Sequence, residues 1–275
     1  MIVMCETLEV SPSGFYAWKR RPASQRKLDD EVLTERLEDH FDASLQTYGT
    51  PRLKRDLAED GFVVSRARIG RLMKQAGLVA KAERKRRKKV TTTPDPNFKV
   101  PANLVGQDFR AVHPNEVWLA DITYVATSQG WLYVATVMDM FSRMIVGWSV
   151  KVTLATELVL DALMMALGRR RPGPGLVHHS DRGSQYASRA YQELLSEQEM
   201  VCSMSGRGNC YDNAPMESFF GTFKSEVDIK AFELLNHITA KLEIFKYIEV
   251  FYNRKRRHSS IGYMSPSQFE DDNAR

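Results

Sequence analysis

The sequence predicts an α/β domain, a mixed five-stranded sheet flanked by helices, preceded by a small all-α region. Three observations carry that reading. Residues 117–151 hold three β-branched and aromatic runs, "VWLADITYVAT", "GWLYVATVMDMFS" and "MIVGWSVKV", parted by "SQG" and by Arg143. After them, short apolar strands alternate with amphipathic helices, the texture of an α/β layer. Before them come short helical periods and most of the positive charge: residues 1–100 hold 21 Lys+Arg against 14 Asp+Glu, and residues 101–275 hold 18 against 20.

Taken in order, "RKLDDEVLTERLEDHFD" (26–42) sets Leu28, Val32, Leu37 and Phe41 on one face of a helix. "TPRLKRDLAED" opens as a second helix with Pro51 in its first turn, Gly61 ends it, and Ser65 caps a third. In that third helix, "RARIGRLMKQAGL", Ile69, Leu72 and Met73 turn inward while Arg66, Arg68, Arg71 and Lys74 are left for solvent or phosphate. Helix, glycine-containing turn and basic helix outline a helix-turn-helix; a small three-helix cap with solvated arginines has the same pattern.

Residues 81–104 pack six Lys or Arg into Arg84–Lys89, Arg86, Arg87 and Lys88 among them, ahead of threonines and prolines. Such a block repels itself and stays extended unless an anion neutralises it, which suits a DNA-tracking tether or a plain solvated linker. After the three antiparallel strands, "TELVLDALMMALGRR" reads as a helix and "GLVHHSD" as a short buried strand. "SRAYQELLSEQ" is then a helix, "VCSMS" a strand and "NAPMESFFGTFKSEV" a helix. The chain closes on a long helix, the basic cluster "RKRRH" with Arg256 and Arg257, and an extended Gly/Pro tail. The expected divisions are 1–80 (helical, DNA-binding), 81–110 (basic linker), 111–230 (catalytic core) and 231–275 (C-terminal helix and basic tail on the core).

Composition narrows the function classes. With 43% hydrophobic and 27% charged residues and no apolar run near the roughly 18 residues that span a bilayer, a membrane role is not expected. Cys5, Cys202 and Cys210 form neither a disulfide framework nor a metal knuckle, and no secretory leader is apparent, so the expected setting is the reducing cytoplasm.

Asp121 stands inside a strand, where an ionised carboxylate without a partner costs several kcal/mol. Asp181 ends the fourth strand, at the sheet edge where open α/β sheets place ligands. Glu217 lies in the first turns of a helix beginning at Asp212 or Asn213; Met216, Phe219, Phe220 and Phe223 form its apolar side, and Glu217 and Lys224, seven residues apart, share another face. Three acids at one edge suit Mg²⁺ or Mn²⁺, hard cations that take carboxylate and water oxygens and, in pairs, promote phosphodiester displacement. The rivals are a Glu217–Lys224 surface ion pair, zinc at His178 and His179, and Asp139 as a ligand in place of its salt bridge to Arg143 or a turn role. Arg207 lies in "SGRGNCYDN", a loop expected to face DNA.

Fifty-nine residues separate Asp121 from Asp181 and thirty-five separate Asp181 from Glu217, a pattern that resembles retroviral integrases and insertion-sequence DDE transposases. "NEVWLADITYV", "VMDMFSRMIVGWSV", "HHSDRGSQYAS", "GRGNCYDNAPMESFFGTFKSE" and "YNRKRRHSSIGYMSPSQF" resemble the second-frame (OrfB) proteins of the insertion-sequence-three family, and "YGTPRLKRDLAEDGFVVSRARIGRLMKQAGL" their helix-turn-helix segment. The resemblance implies an RNase H-like core that holds two Mg²⁺, with Mn²⁺ substituting, on Asp121, Asp181 and Glu217. It implies cutting of element ends, attack of the exposed 3′-OH on target DNA, and contact of Lys224 with DNA. It also implies as partners the terminal inverted repeats, target DNA, further copies of the chain in a synaptic complex, and the upstream-frame protein or its frameshift fusion. Ala120 stands where the family commonly has Thr, and no heptad run matches the family's upstream leucine zipper. A nuclease that hydrolyses and stops, and a DNA-binding regulator with an inactive core, are the alternatives.

Overall fold

The computed structural model describes residues 2–81, 100–206 and 210–274. Two compact units divide the chain, one of residues 1–43 and 48–79 and one of residues 44–47 and 80–275.

The first unit is all helical: α1 (Ile2–Thr7), α2 (Pro12–Arg20), α3 (Gln25–Ala43), α4 (Thr50–Glu59) and α5 (Arg66–Gln75). Pro51 presets the first turn of α4, and Gly61, at φ +88°, supplies the left-handed residue that turns the chain after it. The Ser65 hydroxyl then accepts the Arg68 amide at 3.2 Å and starts α5. Leu33, Leu37 and Phe41, at four-residue spacing along α3, are buried with Leu53 and Leu57 of α4 and Ile69, Leu72 and Met73 of α5. Leu28 and Val32, expected inward, are 45% and 49% exposed, because the stripe that meets α4 and α5 runs through Leu33. Arg68 and Arg71 also depart from expectation: each gives a 2.7 Å ion pair to Asp30 of α3, so their guanidinium groups brace the helices. Arg66 and Lys74 remain exposed.

The second unit is built on β1 (Val117–Thr127), β2 (Gly130–Asp139), β3 (Ile145–Lys151), α6 (Thr156–Arg170), β4 (Val177–Ser180), α7 (Arg189–Glu197) and β5 (Val201–Met204). It continues through α8 (Ala214–Glu226), α9 (Ile229–Phe232), α10 (His237–Phe245) and α11 (Pro266–Asn273). The sheet order is β3-β2-β1-β4-β5, with β1, β2 and β3 antiparallel and β4 and β5 parallel to β1, the mixed five-stranded arrangement expected. Trp118, Ala120, Ala135, Val137 and Val146 meet Leu158, Val159, Ala162 and Leu163 of α6 in the main core. Gly147 permits that approach: a Cβ there would lie 2.1 Å from the Ala162 carbonyl oxygen. A second apolar group sets Phe219 and Phe223 of α8 edge to face with Tyr252 and Tyr247, at 4.7 and 5.1 Å between ring centres.

The C-terminal segment corrects two expectations. Residues 266–273, read as part of an extended tail, are helical: Ser265 accepts the Gln268 amide, Pro266 opens the turn, and Phe269 packs on Phe141 at 5.1 Å. Arg256 and Arg257, assigned to DNA, are only 6% and 9% exposed. Arg256 donates through Nε and Nη2 to Glu226 at 2.8–3.0 Å, and the Tyr247 hydroxyl donates to the same carboxylate at 2.8 Å. Arg257 donates to the Tyr263 carbonyl at 3.1 Å. A buried guanidinium needs a full set of acceptors, so this part of the basic cluster folds inward and ties α8 to the C-terminal segment.

The end of the expected linker packs on the sheet: Val105 is buried and the Leu104 amide donates to the Ser203 hydroxyl of β5 at 2.9 Å. Arg86, Arg87, Lys88 and Arg207 lie outside the described residues.

Candidate active site

Three elements bring the predicted acids together. β1 and β4 run parallel with residue n opposite residue n+60, from Val117↔Val177 to Leu119↔His179. β4 stops at Ser180, and the same offset carries Asp181 alongside Asp121 just beyond the last paired residues of the ladder. The Asp181 carboxylate accepts the Gly183 amide at 2.9 Å, which curls the chain away from the sheet toward α7. Asp121 Oδ1 accepts the amide of Ile122 at 2.8 Å.

The third acid arrives on α8. Cys210–Asn213 form a single 3₁₀ turn before the helix, and the buried Asn213 side chain donates from Nδ2 to the Ala120 carbonyl at 3.2 Å. That bond pins the start of α8 to β1 one residue from Asp121 and brings Glu217 of the first turn close enough for its charge to act on Asp121. Met216, Phe219, Phe220 and Phe223 are buried, so Glu217 and Lys224 are left on the remaining face, half-buried like Asp121 and Asp181. Lys224 Nζ lies 4.9 Å from the centre of the Tyr124 ring.

The electrostatics are those of crowded acids. Burial of the Asp121 carboxyl, followed by the negative charge of Asp181 and of Glu217, pushes its pKa up to about 8, against the opposing pull of the Ile122 amide and Lys224. Tyr186 lies behind the acids; its buried hydroxyl finds no hydrogen-bond partner among the described residues and is kept protonated by burial and by the charges of Tyr191, Asp121 and Asp181. Asp139 and the two histidines have other partners. Asp139 is fully buried in a turn, where it accepts the amides of Phe141 and Asn115 at 3.0 Å and faces Arg170 at 3.8 Å, not Arg143. His178 and His179 are committed to Tyr191 and to Ser203 and Ser205.

From sequence, Asp212 and Asn213 mark only the start of a helix. Asp212 instead links the Gly206 amide at 2.7 Å to Gln107 at 3.1 Å, and these hydrogen bonds hold its carboxyl below the usual range although burial pushes the other way. The sequence signal was there, since "YDNAP" sets two short polar side chains directly before a helix-starting proline.

Residues 111–210 and 198–266 each match the family described as integrase core domain, and residues 27–86 match the HTH-like domain. The chain is 40% identical over 277 residues to "Transposase InsF for insertion sequence IS3A" of Escherichia coli (strain K12), across 98% of this chain and 93% of that one. The chain belongs to the insertion-sequence-three family of transposases. The transposase is 42% identical over 255 residues to "Transposase for insertion sequence element IS904" of Lactococcus lactis subsp. lactis (strain IL1403), across 93% of this chain and 99% of that one. It is 45% identical over 268 residues to "Insertion element IS600 uncharacterized 31 kDa protein" of Shigella sonnei, across 98% and 97%. The integrase-core matches cover all three acids and Lys224 of the transposase, and the helix-turn-helix match covers α3, α4 and α5.

Proposed function

We propose that Asp121, Asp181 and Glu217 are the catalytic acids with which this transposase cuts insertion-sequence ends and joins the resulting 3′-OH to target DNA. The observation that carries this is their convergence, from a strand, a strand end and a helix, within electrostatic reach of one another. The donor set fits hard divalent cations: half-buried carboxylates that repel one another are relieved by positive charge. Among the described residues no three His, Cys, Asp or Glu side chains are gathered closely enough to enclose one ion. Asp121, Asp181 and Glu217 would hold such cations, with water and phosphate oxygens available as further ligands. When bound, Mg²⁺ or its substitute Mn²⁺ stabilises charge on the attacking and departing oxygens.

The protein's part is to hold its acids in register, while Lys224 faces a neighbouring phosphate. Joining is a transesterification: the 3′ oxygen bonds to phosphorus, the target P–O3′ bond breaks, and the proton of the attacking hydroxyl ends on the departing oxygen through solvent. No oxidant or energy source is required. Arg66, Lys74, the basic residues 84–89 and Arg207 supply the charge that grips terminal repeats and target DNA. The reaction joins two ends, so further copies of the chain form the synapse, with the upstream-frame protein or its frameshift fusion as partner. The DNA places this work in the cytoplasm, and no helix among the described residues is long and apolar enough to cross a membrane. The domain reading follows: residues 1–80 bind DNA, 81–110 link, 111–230 catalyse, and 231–275 support the core.

The test is a joining assay with pre-cut 3′-OH ends and Mg²⁺. Asp121→Asn, Asp181→Asn and Glu217→Gln retain DNA binding and lose joining by at least about a thousandfold, a loss of transition-state stabilisation near 4 kcal/mol. Joining at the unaltered rate by any variant removes that residue from the site.

A further inference from the structure

Trp131 is the second residue of β2, one position past the two-residue turn of the β1–β2 hairpin, and is 52% exposed. Its ring meets Tyr124 edge to face at 5.0 Å and 86°, and the same Tyr124 ring carries Lys224 Nζ at 4.9 Å. The mount is rigid. The Ser128 amide and hydroxyl donate to the Leu235 carbonyl at 2.9 and 2.8 Å, and Gln129 Oε1 accepts the His237 amide at 2.8 Å. A single exposed apolar side chain needs no explanation. This one ends a continuous ladder, Trp131 to Tyr124 to Lys224, and Lys224 lies two helical turns from Glu217 on the same face of α8. About 10 Å of strand separates Tyr124 from Asp121. An exposed aromatic face, then a cation, then an acid cluster repeats the alternation of base and phosphate along a single strand.

We propose that Trp131 is a stacking platform for an unpaired nucleobase of the strand whose phosphate lies at the acid cluster, with Lys224 holding a phosphate between them. This rests on the reading of Asp121, Asp181 and Glu217 as the reacting centre. The ligand is an unpaired base because a base inside a duplex has both faces covered by its neighbours, whereas the half-exposed indole needs one with an open face. Sequence preference is not part of the proposal, since every base has a face to stack.

The test uses the full chain in EDTA, so that binding is read without metal and without joining. The probes are a duplex with a short unpaired terminus bearing 2-aminopurine and the same duplex fully paired. Trp131→Ala weakens binding of the unpaired probe about tenfold, leaves the paired duplex unchanged, and restores the 2-aminopurine emission that the native protein quenches; Trp131→Phe retains both. Equal loss on both probes, or no loss on either, overturns the proposal. So does a change in molar mass by light scattering with binding unaltered, which would make Trp131 a protein contact. Failure of the carboxylate reading would appear in the joining assay alone, and failure of the platform in this one.

Discussion

His178 is enclosed completely, with Nε2 3.0 Å from the Tyr191 hydroxyl and its ring edge-on to Tyr191. Burial, with a smaller push from His179, lowers its pKa from 6.5 to about 3. In the unfolded chain the same imidazole takes up a proton near pH 6.5. Between pH 6.5 and 3 the unfolded state therefore binds the additional proton, and stability falls as pH drops through that window, by up to about 1.4 kcal/mol per pH unit. Urea titrations from pH 7 to pH 4 are expected to show this slope, and His178→Gln is expected to flatten it by about one proton. An unchanged slope would place the acid sensitivity in other groups, His179 first, since burial lowers its pKa too. The pair of histidines beside Asp181 is thus a matter of stability, and each ring meets a hydroxyl that β5 or α7 supplies.

At the scale of elements, the contact between β3 and α6 depends on one missing side chain. A Cβ at Gly147 would lie 2.1 Å from the Ala162 carbonyl and 2.8 Å from the Ala166 Cβ, so the helix must lift or the strand must bow. Gly147→Ala is expected to destabilise the protein by about 1–3 kcal/mol, as overpacking does, seen as a lower urea midpoint at an unchanged m-value. A midpoint equal to the native one would show that α6 can slide. The strands and α6–α8 were legible because β-branched runs and four-residue apolar spacing announce themselves within a window of ten to fifteen residues. The helix after Ser265 reads from sequence as tail because its eight residues carry little apolar periodicity and follow Gly262 closely, although Ser265-Pro266 is a start signal. Arg256 was misplaced for another reason: a basic run looks alike whether it faces phosphate or a buried carboxylate, and Glu226 is thirty residues away. The three acids were legible through their spacing, whereas Asn213 and the Trp131–Tyr124–Lys224 ladder depend on contacts across elements that no local pattern encodes.

At the scale of the whole molecule, the carboxylates hold the folded chain in a state that positive charge relieves. Mg²⁺ that binds only the folded protein raises the melting temperature, by an amount corresponding to about 2.7 kcal/mol at a hundredfold excess over its dissociation constant. Thermal scans in EDTA and in Mg²⁺ are expected to differ for the native chain and to coincide for a variant carrying both Asp121→Asn and Asp181→Asn. A shift that persists in that variant would locate the ion elsewhere.

The parallel ladder between β1 and β4 has a further meaning. Asp121 and Asp181 are neighbours because two strands share a register, and the intervening chain, with two strands and a helix of its own, sets nothing about their separation. Residues added to the surface turns between β3 and α6 or between α6 and β4 lengthen the path without moving either acid. One residue added within Val177–Ser180 reverses the alternation of the strand and turns the acid to the opposite side. The ruler that measures this pair is the pleat of the sheet, and the count of residues along the chain only records how far the polypeptide travelled to reach it.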